Sequence, residues 1–404
     1  MINILDNSYD KCLKCNTCVV TCPVSNNSLD FGGPKHLGPE LKRLIENQET
    51  IDDPSIEYCT LCGNCDISCP EGVHLTHFII EAKGIHSKNS GTRYRDKILS
   101  NAEYVGKLAS TFAPLTNTLM NTKPIRTVMQ KIIGIHAKRQ FPKYRFKNFN
   151  RRYKKKIANT KRKVAYFAGC YATYNAPEVA ETFVDVMSFN GIEVAIPEQH
   201  CCGIPMLANG QINQAMKNAK YNVDHLLEYT RNGYDVVLTC SSCTLALKKD
   251  YITLNIKGAD ELSQHVYDAG EYLRMLNEKE EMNTHLAPID DKAGYFAPCH
   301  MKAQGIGNPA MDVLELIPNY RIRDLAAGCC GQCGTFGFKE EKFDLSLKIG
   351  TSIQKSVEEL DPNYTVTECG MCKNQLDQMT DKPVKHPMQI LSEAYRRAES
   401  KISL

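Results

Sequence analysis

Nineteen cysteines in a chain of 404 residues fall into two groups, eight between Cys12 and Cys69 and eleven from Cys170 onward. Their spacing limits what they can do. Cys12-x2-Cys15-x2-Cys18-x3-Cys22-Pro23 is followed by Cys59-x2-Cys62-x2-Cys65-x3-Cys69-Pro70. In a paired run of this kind, three thiolates on a tight loop surround one face of an iron–sulfur cubane, and the fourth ligand comes from the other run. The expected sets are Cys12, Cys15, Cys18 and Cys69 for one 4Fe-4S cluster, and Cys22, Cys59, Cys62 and Cys65 for a second. Zinc sites of the CxxC type are the bland alternative, but zinc has no use for a third and fourth cysteine at these repeated intervals.

The later cysteines include two vicinal pairs, Cys201-Cys202-Gly203 and Cys329-Cys330-Gly331. Neighbouring cysteines make poor disulfide partners for each other, yet they can aim two thiolates at one soft metal centre. Cys170 to Cys299, Cys240 to Cys369 and Cys243 to Cys372 are each 129 residues, and Cys201 to Cys329 is 128. Such register marks a duplication. One half offers Cys170, Cys201, Cys202, Cys240 and Cys243; the other offers Cys299, Cys329, Cys330, Cys369 and Cys372. Five thiolates are one more than a cubane needs, so one is spare or the cluster is not a simple cubane. Zinc remains the alternative here, because CxxC pairs are common zinc ligands. Cys333 is an extra thiol at the position aligned with Pro205.

Alternating strands and helices position these residues. Val164–Ala168, Ile192–Ile196 and Asp235–Thr239 read as strands, with helices over Pro177–Phe189 and Gln211–Arg231 between them. The second half repeats this with strands at Tyr295–Ala297, Tyr320–Leu325 and Tyr364–Thr367, and helices at Pro309–Ile317 and Lys339–Leu360. Each cysteine group then lies just past the carboxyl end of a strand, where open α/β sheets place their ligand sites. Gln264–Met282 is expected to form a helix joining the halves. In the N-terminal part, Gly38–Gln48 reads as a helix started by Pro39, with Leu41, Leu44 and Ile45 on one face. The spacing of Cys22 and Cys59 and the helical pattern between them suit a mainly helical two-cluster ferredoxin domain.

A cysteine-free bridge covers residues 75–137. A helix starting at Pro124 carries Ile125, Val128, Met129, Ile132 and Ile133 on one side. The favoured reading is a helix packed on its own domain, with a membrane-surface helix as the alternative. Lys138–Lys163 holds 13 Lys or Arg and no acid, although the whole chain carries only +3. That segment is expected to face solvent, anionic lipid or an acidic partner; nucleic acid is least favoured beside redox centres. No apolar run approaches the ~18 residues of a membrane span. The odd cysteine count and a mostly polar N-terminus without basic start point to a reduced, cytosolic protein. Gly305-Ile306-Gly307-Asn308-Pro309-Ala310 imitates a dinucleotide fingerprint, but it lacks a strand ending at its first glycine. No FAD or NAD is expected on this chain. His200 and His300 adjoin cluster cysteines and would tune them, relay protons or be plain structural histidines.

The twice-repeated pattern C…CCG…CxxC is similar to the cysteine-rich CCG domains of heterodisulfide reductases and of iron–sulfur subunits of respiratory dehydrogenases. Taken whole, the chain resembles the family of C subunits of anaerobic glycerol-3-phosphate dehydrogenases. Carrying that resemblance are Gly33-Pro34-Lys35, Phe112-Ala113-Pro114, Tyr174-Asn175-Ala176-Pro177, Ala208-Asn209-Gly210, Pro298-Cys299-His300-Met301 and Gly337-Phe338-Lys339-Glu340. The fold expected is α+β and multidomain: a helical ferredoxin domain over 1–90, a helical bridge and basic linker over 91–163, CCG domains with parallel sheets over 164–262 and 293–404, and a connecting helix over 263–292. The resemblance implies an electron-transfer subunit without substrate chemistry of its own, passing electrons from flavoprotein A and B subunits to menaquinone. It implies a peripheral place on the cytoplasmic face of the cell membrane. It also implies one or two further clusters in the CCG domains, of the noncubane 4Fe-4S type where five cysteines are complete. A glycolate or lactate oxidase subunit, or a disulfide reductase, is the alternative.

Overall fold

A computed structural model describes residues 6–47, 53–153 and 162–402. Gln48 and the basic residues at 154–161, Lys154 and Lys155 among them, lie outside the described residues.

The C-terminal two-thirds is built on two four-stranded sheets, parallel throughout. In the first, β1 (Arg162–Phe167), β2 (Ile192–Ala195), β3 (Asp235–Leu238) and β4 (Val266–Asp268) stand in the order β2-β1-β3-β4. In the second, β5 (Lys292–Tyr295), β6 (Arg321–Asp324), β7 (Tyr364–Val366) and β8 (Val384–Lys385) stand in the order β6-β5-β7-β8. Register is fixed by pairs such as Val164 with Val194 and Asp235, and Ala293 with Ile322 and Tyr364. Val164, Ala165, Tyr166 and Phe167 are all buried, as a central parallel strand covered on both faces must be. The strand order reverses between β1 and β3, and between β5 and β7, and the cysteine loops gather at those switch points.

The helices that position the sites are α1 (Leu75–Ser90), α2 (Ala102–Thr111), α3 (Ala113–Asn121), α4 (Lys123–Ile133), α5 (Pro177–Phe189), α6 (Ile212–Thr230), α7 (Ala269–Glu278), α8 (Phe343–Leu360) and α9 (Pro387–Ile402). The halves interlock rather than hang from a tether. Helix α9 of the second half packs along α5 of the first, and Asn190 donates to the Tyr395 hydroxyl at 3.2 Å. Gly270 lets α7 approach Ala310 so closely that a Cβ there would stand 2.6 Å from its backbone nitrogen.

Several expectations need correction. The segment 263–292 is not simply a connecting helix: it opens with β4, the fourth strand of the first sheet, and α7 follows. Asp268 ends that strand and caps α7, with Glu271 closing the capping box. Pro39 does not start a helix. It lies inside a π-turn, His36–Glu40, where its missing N–H suits a widened turn, and the α-helix runs from Leu41 to Glu46. Helix α4 is packed on its domain only in part: Ile125, Met129 and Ile133 are half-buried and Gln130 donates to Glu340 at 2.7 Å, while Val128 and Ile132 are 53% and 78% exposed. Nor does the basic run merely face solvent. Just before it His136 stacks on Phe343 with ring centroids 3.8 Å apart, and within it Arg139 is fully buried and Phe149 packs edge-on against Tyr166. Its part at 138–153 is a belt that ties the bridge to both halves.

Candidate iron–sulfur centres

The N-terminal module wraps two equivalent loops. Lys14 and Asn16 flank Cys15 with positive φ of 58° and 66°, and Leu61 and Gly63 flank Cys62 with 51° and 78°. Left-handed residues at matched positions curl each loop so that its three cysteines face inward. Short helices Thr17–Val20 and Asn64–Ile67 follow and lead to Cys22 and Cys69. The neighbours of Cys18 are Cys12, Cys15 and Cys69; burial pushes its thiol up to about 11, with those three adding to the rise. Cys22 stands instead among Cys59, Cys62 and Cys65, whose thiols burial also raises. Backbone amides point at this sulfur: Leu61 N–H at Cys59 (3.5 Å) and Val73 N–H at Cys69 (3.4 Å).

In the first CCG half the thiols form an unbroken series of neighbours, Cys170 to Cys201 to Cys202 to Cys243 to Cys240. The second half repeats it as Cys299, Cys329, Cys330, Cys372 and Cys369. The sulfurs of Cys330 and Cys372 are 3.4 Å apart. Cys201 and Cys329, each receiving bonds from its thiol neighbours, are held well below the ordinary thiol range. The glycine of each CCG triplet has a positional reason. Gly203 and Gly331 take φ of 91° and 81°, and a Cβ on Gly331 would sit 2.1 Å from the Ser346 carbonyl. That geometry also aims the Gly331 N–H at the Cys329 sulfur, 3.4 Å away.

Cys333 is more than an extra thiol. Its sulfur lies 3.3 Å from that of Cys329, with the residue itself in the left-handed region at φ 46°. The second half therefore gathers six thiols, where the first has Pro205 in place of the sixth. The sequence shows Cys333 but not its direction.

The four sets are contiguous. Cys62 stands near Cys299 and Cys329, and His300 pins the contact, with Nε2 3.0 Å from the Leu61 carbonyl and Nδ1 2.8 Å from Ser242 Oγ. His300 is buried and its pKa is lowered mainly by that burial, as befits a neutral structural histidine. Ser242 also bonds to Cys369, and the Tyr171 ring lies against Gly370, so the loops of the two halves touch.

The chemistry of the surroundings tests whether anionic clusters fit. Arg139 donates from Nε to the Gly337 carbonyl (2.6 Å), from Nη1 to Gln375 (2.5 Å) and Gln378 (3.1 Å), and from Nη2 to Ser346 (2.8 Å). All are neutral oxygens. Burial pushes its pKa down to about 10, and the sulfurs of Cys330 and Cys333 oppose that fall. Lys83, also buried, donates to the Ile56 carbonyl at 2.8 Å; burial pushes it down to about 8, and Cys59 heads the opposing charges. Buried cations without bonded carboxylates need anions close by. Thiolate-bound iron–sulfur clusters, whose net charge helps set their potential, supply them. The donor sets fit the clusters. Arg139 was hidden in the sequence among 13 basic residues, and nothing there marks it from its neighbours.

A cavity of about 600 Å³ opens on the first half, with Cys170 and Cys201 on its wall. Glu103 of α2 accepts from the Cys201 backbone N–H (2.9 Å) and pairs with His200 Nδ1 (3.0 Å). The Gly305–Ala310 loop follows no strand end; Pro309 starts a short helix, and Arg274 bonds the Ile306 carbonyl.

A two-cluster ferredoxin module joined to tandem cysteine-rich units defines an iron–sulfur electron-transfer protein. Comparisons agree. The 4Fe-4S dicluster domain family matches residues 8–73, and the CCG cysteine-rich domain family matches 164–248 and 293–377. Over 400 residues the chain is 33% identical to the C subunit of the anaerobic glycerol-3-phosphate dehydrogenase of Escherichia coli, covering 96% of this chain and 99% of that one. It is 24% identical to the B subunit of the fumarate reductase (CoM/CoB) of Methanothermobacter marburgensis, across 95% of this chain and 72% of that one. It is 22% identical to the glycolate oxidase iron-sulfur subunit of Escherichia coli, across 97% and 95%. The chain belongs to the family of anaerobic glycerol-3-phosphate dehydrogenase C subunits.

Proposed function

We infer that this chain is the iron–sulfur subunit of an anaerobic glycerol-3-phosphate dehydrogenase, taking electrons from a flavoprotein pair and delivering them to menaquinone at a membrane surface. The observation that carries this is the contiguity of the four cysteine sets. Cys12, Cys15, Cys18 and Cys69 form the set nearest the surface; Cys15 is exposed, with Leu13, Val20 and Ile67 exposed around it. Cys22, Cys59, Cys62 and Cys65 come next, then the second-half set, then the first-half set. These are the ligands assigned to the clusters, with Cys333 added to the second-half set. When bound, the clusters hold and pass single electrons. The protein supplies sulfur ligands, N–H···S bonds and buried cations, which set the potential.

Membrane contact has support in the bridge. Tyr104, Leu108, Phe112, Leu115, Leu119, Val128 and Ile132 are exposed along α2 to α4 and the turns between them. No Asp or Glu occurs between Glu103 and Glu178. An apolar helical face amid basic residues suits an anionic bilayer. Among the described residues no helix is long and apolar enough to cross a membrane.

The test is reduction of the anaerobically purified chain, followed by loss of visible iron–sulfur absorption. Glycerol 3-phosphate should bleach it only when the flavoprotein subunits are present. Bleaching by glycolate or lactate with their flavoprotein, and none by glycerol 3-phosphate, would replace the substrate assignment. Turnover of a disulfide by the reduced chain would replace the acceptor assignment.

A further inference from the structure

We propose that the cavity over Cys170 and Cys201 is a binding site for the ring of a lipid-soluble quinone, entered from the apolar face of α2. This deepens the reading above by giving the acceptor a place on this chain.

Three observations lead there. First, the two CCG sets differ in access. The second-half set is capped by the ferredoxin module, where His300 bonds to Leu61 and a Cβ on Gly63 would stand 2.8 Å from Ala303. The first-half set meets a cavity of about 600 Å³, within the range that holds a small organic ligand. Second, the wall offers aromatic rings and hydrogen-bond donors. The Tyr221 ring lies tilted against His200 with centroids 4.2 Å apart, and Glu103 pairs with His200 Nδ1. The ring of Tyr174 lies against Gly106, where a Cβ would be 2.5 Å away, so α2 presses it toward the cavity. Lys107 and Arg151 sit in the same wall and can bond to two carbonyl oxygens of a flat ring. Third, α2 has two adjacent stripes. Glu103, Lys107 and Thr111 face the cavity, while Tyr104 and Leu108, one residue on in each case, are exposed and continue into Phe112, Leu115 and Leu119. An i, i+4, i+8 stripe and its neighbour one residue on are ~100° apart on a helix, so the cavity wall turns directly into the apolar surface. A ligand with a polar ring and an apolar tail matches that junction; a small hydrophilic acceptor has no use for it.

Bound there, a quinone takes two electrons, which the flavoprotein's oxidation of its substrate supplies through this chain. Two protons come from water at the open side of the cavity. Quinone becomes quinol, and no bond to the protein forms.

The test uses the full, iron-loaded chain under anaerobic conditions. Menadione binding is measured by equilibrium dialysis, and an azido-menadione photolabel is mapped by peptide mass spectrometry. Labelling should be suppressed by excess menadione and fall on peptides holding Lys107, Tyr174 or Tyr221. Thr111→Phe fills the cavity from an exposed helix position, and Lys107→Leu removes a donor there; each should weaken menadione binding about tenfold or more. Iron content should be unchanged in both. Saturable binding with the label elsewhere, and both variants binding normally, overturns this site while leaving quinone as the acceptor. No saturable menadione binding to the wild-type chain overturns the site and the quinone assignment together.

Discussion

Arg139→Met is the sharpest perturbation of the second-half centre. The guanidinium is fully buried and donates to four neutral oxygens, on Gly337, Gln375, Gln378 and Ser346. Hydrogen bonds from a charged donor contribute ~1.5–3 kcal/mol each, but four that share one side chain do not add. Removing one partner of a buried charge arrangement costs ~3–5 kcal/mol, mostly because the other charge is left uncompensated. The compensated charge here is the thiolate set around Cys330 and Cys333. At an effective dielectric of about 20, a unit pair 4 Å apart interacts by ~4 kcal/mol, and proportionally less farther out. Most of the loss should therefore appear only when the site is anionic. Anaerobic urea unfolding of the iron-loaded variant should show ~3–5 kcal/mol lost. After chelation, with thiols free to protonate, the loss should shrink by at least half. A redox titration followed by electron paramagnetic resonance should place the second-half centre at a more negative potential, since reduction would add charge beside no cation. Arg139→Lys should recover part of the potential. Equal destabilisation of loaded and iron-free protein, with an unmoved potential, would reduce Arg139 to a structural hydrogen-bonder and refute the reasoning.

Other outcomes follow from the same geometry. Anaerobically purified protein should carry about 12–16 irons per chain by its cysteine count, and ~8, or zinc, would remove the C-terminal centres. Cys69→Ser should abolish the paramagnetic signal of the exposed ferredoxin centre and Cys22→Ser that of its neighbour; the reverse assignment would refute the crossed ligand sets. Cys333→Ala should alter the spectrum of the second-half centre while Pro205→Ala leaves the first unchanged. Ile132→Asp with Val128→Asp should abolish sedimentation with anionic liposomes, while charge reversal of Arg151 and Arg152 weakens it; sedimentation as wild type would exclude this face. His386 is buried, its Nε2–H donates to the Thr239 carbonyl at 2.9 Å, and its Nδ1 accepts from Met388 N–H. Burial pushes its pKa down to about 4. The unfolded chain, with an imidazole pKa of ~6.5, binds this proton first as pH falls. The native state should lose ~3 kcal/mol between pH 6.5 and 4, and His386→Asn should flatten that part of the pH–stability curve.

Spacing made the cysteines legible because cluster geometry needs them at intervals that chance does not repeat. The first three strands of the first half were legible too, since parallel strands buried on both faces read as apolar runs such as Val164–Phe167. In the second half Tyr320–Leu325 and Tyr364–Thr367 held strands, but the strand expected at Tyr295–Ala297 runs over Lys292–Tyr295 instead. The fourth strands were not. Val266–Asp268 and Val384–Lys385 are three and two residues long, too short to show a period, and unlike the equally short Tyr364–Val366 neither leads into a cysteine loop. The face of α4 was visible as a stripe, but a stripe does not say how much of it this chain covers: Ile125, Met129 and Ile133 are half-buried, and Val128 and Ile132 are exposed. Arg139 and Glu103 were beyond reach for another reason. Their roles come from contacts 198 residues or more and 97 residues or more away in the chain, and neither residue type nor neighbours mark them.

The capping of the second-half set by the ferredoxin module bears on how the protein matures. The loop at residues 59–65 lies against this set, with Cys62 near Cys299 and Cys329 and His300 bonded to the Leu61 carbonyl. That loop covers the side of the set next to Cys299 and Cys329. The second-half centre should then be filled before the N-terminal module docks, and the first-half centre, beside its open cavity, should accept iron and sulfide afterwards. A mature chain that loses iron to oxygen should thus regain the one centre in place, and the other only after the molecule has opened.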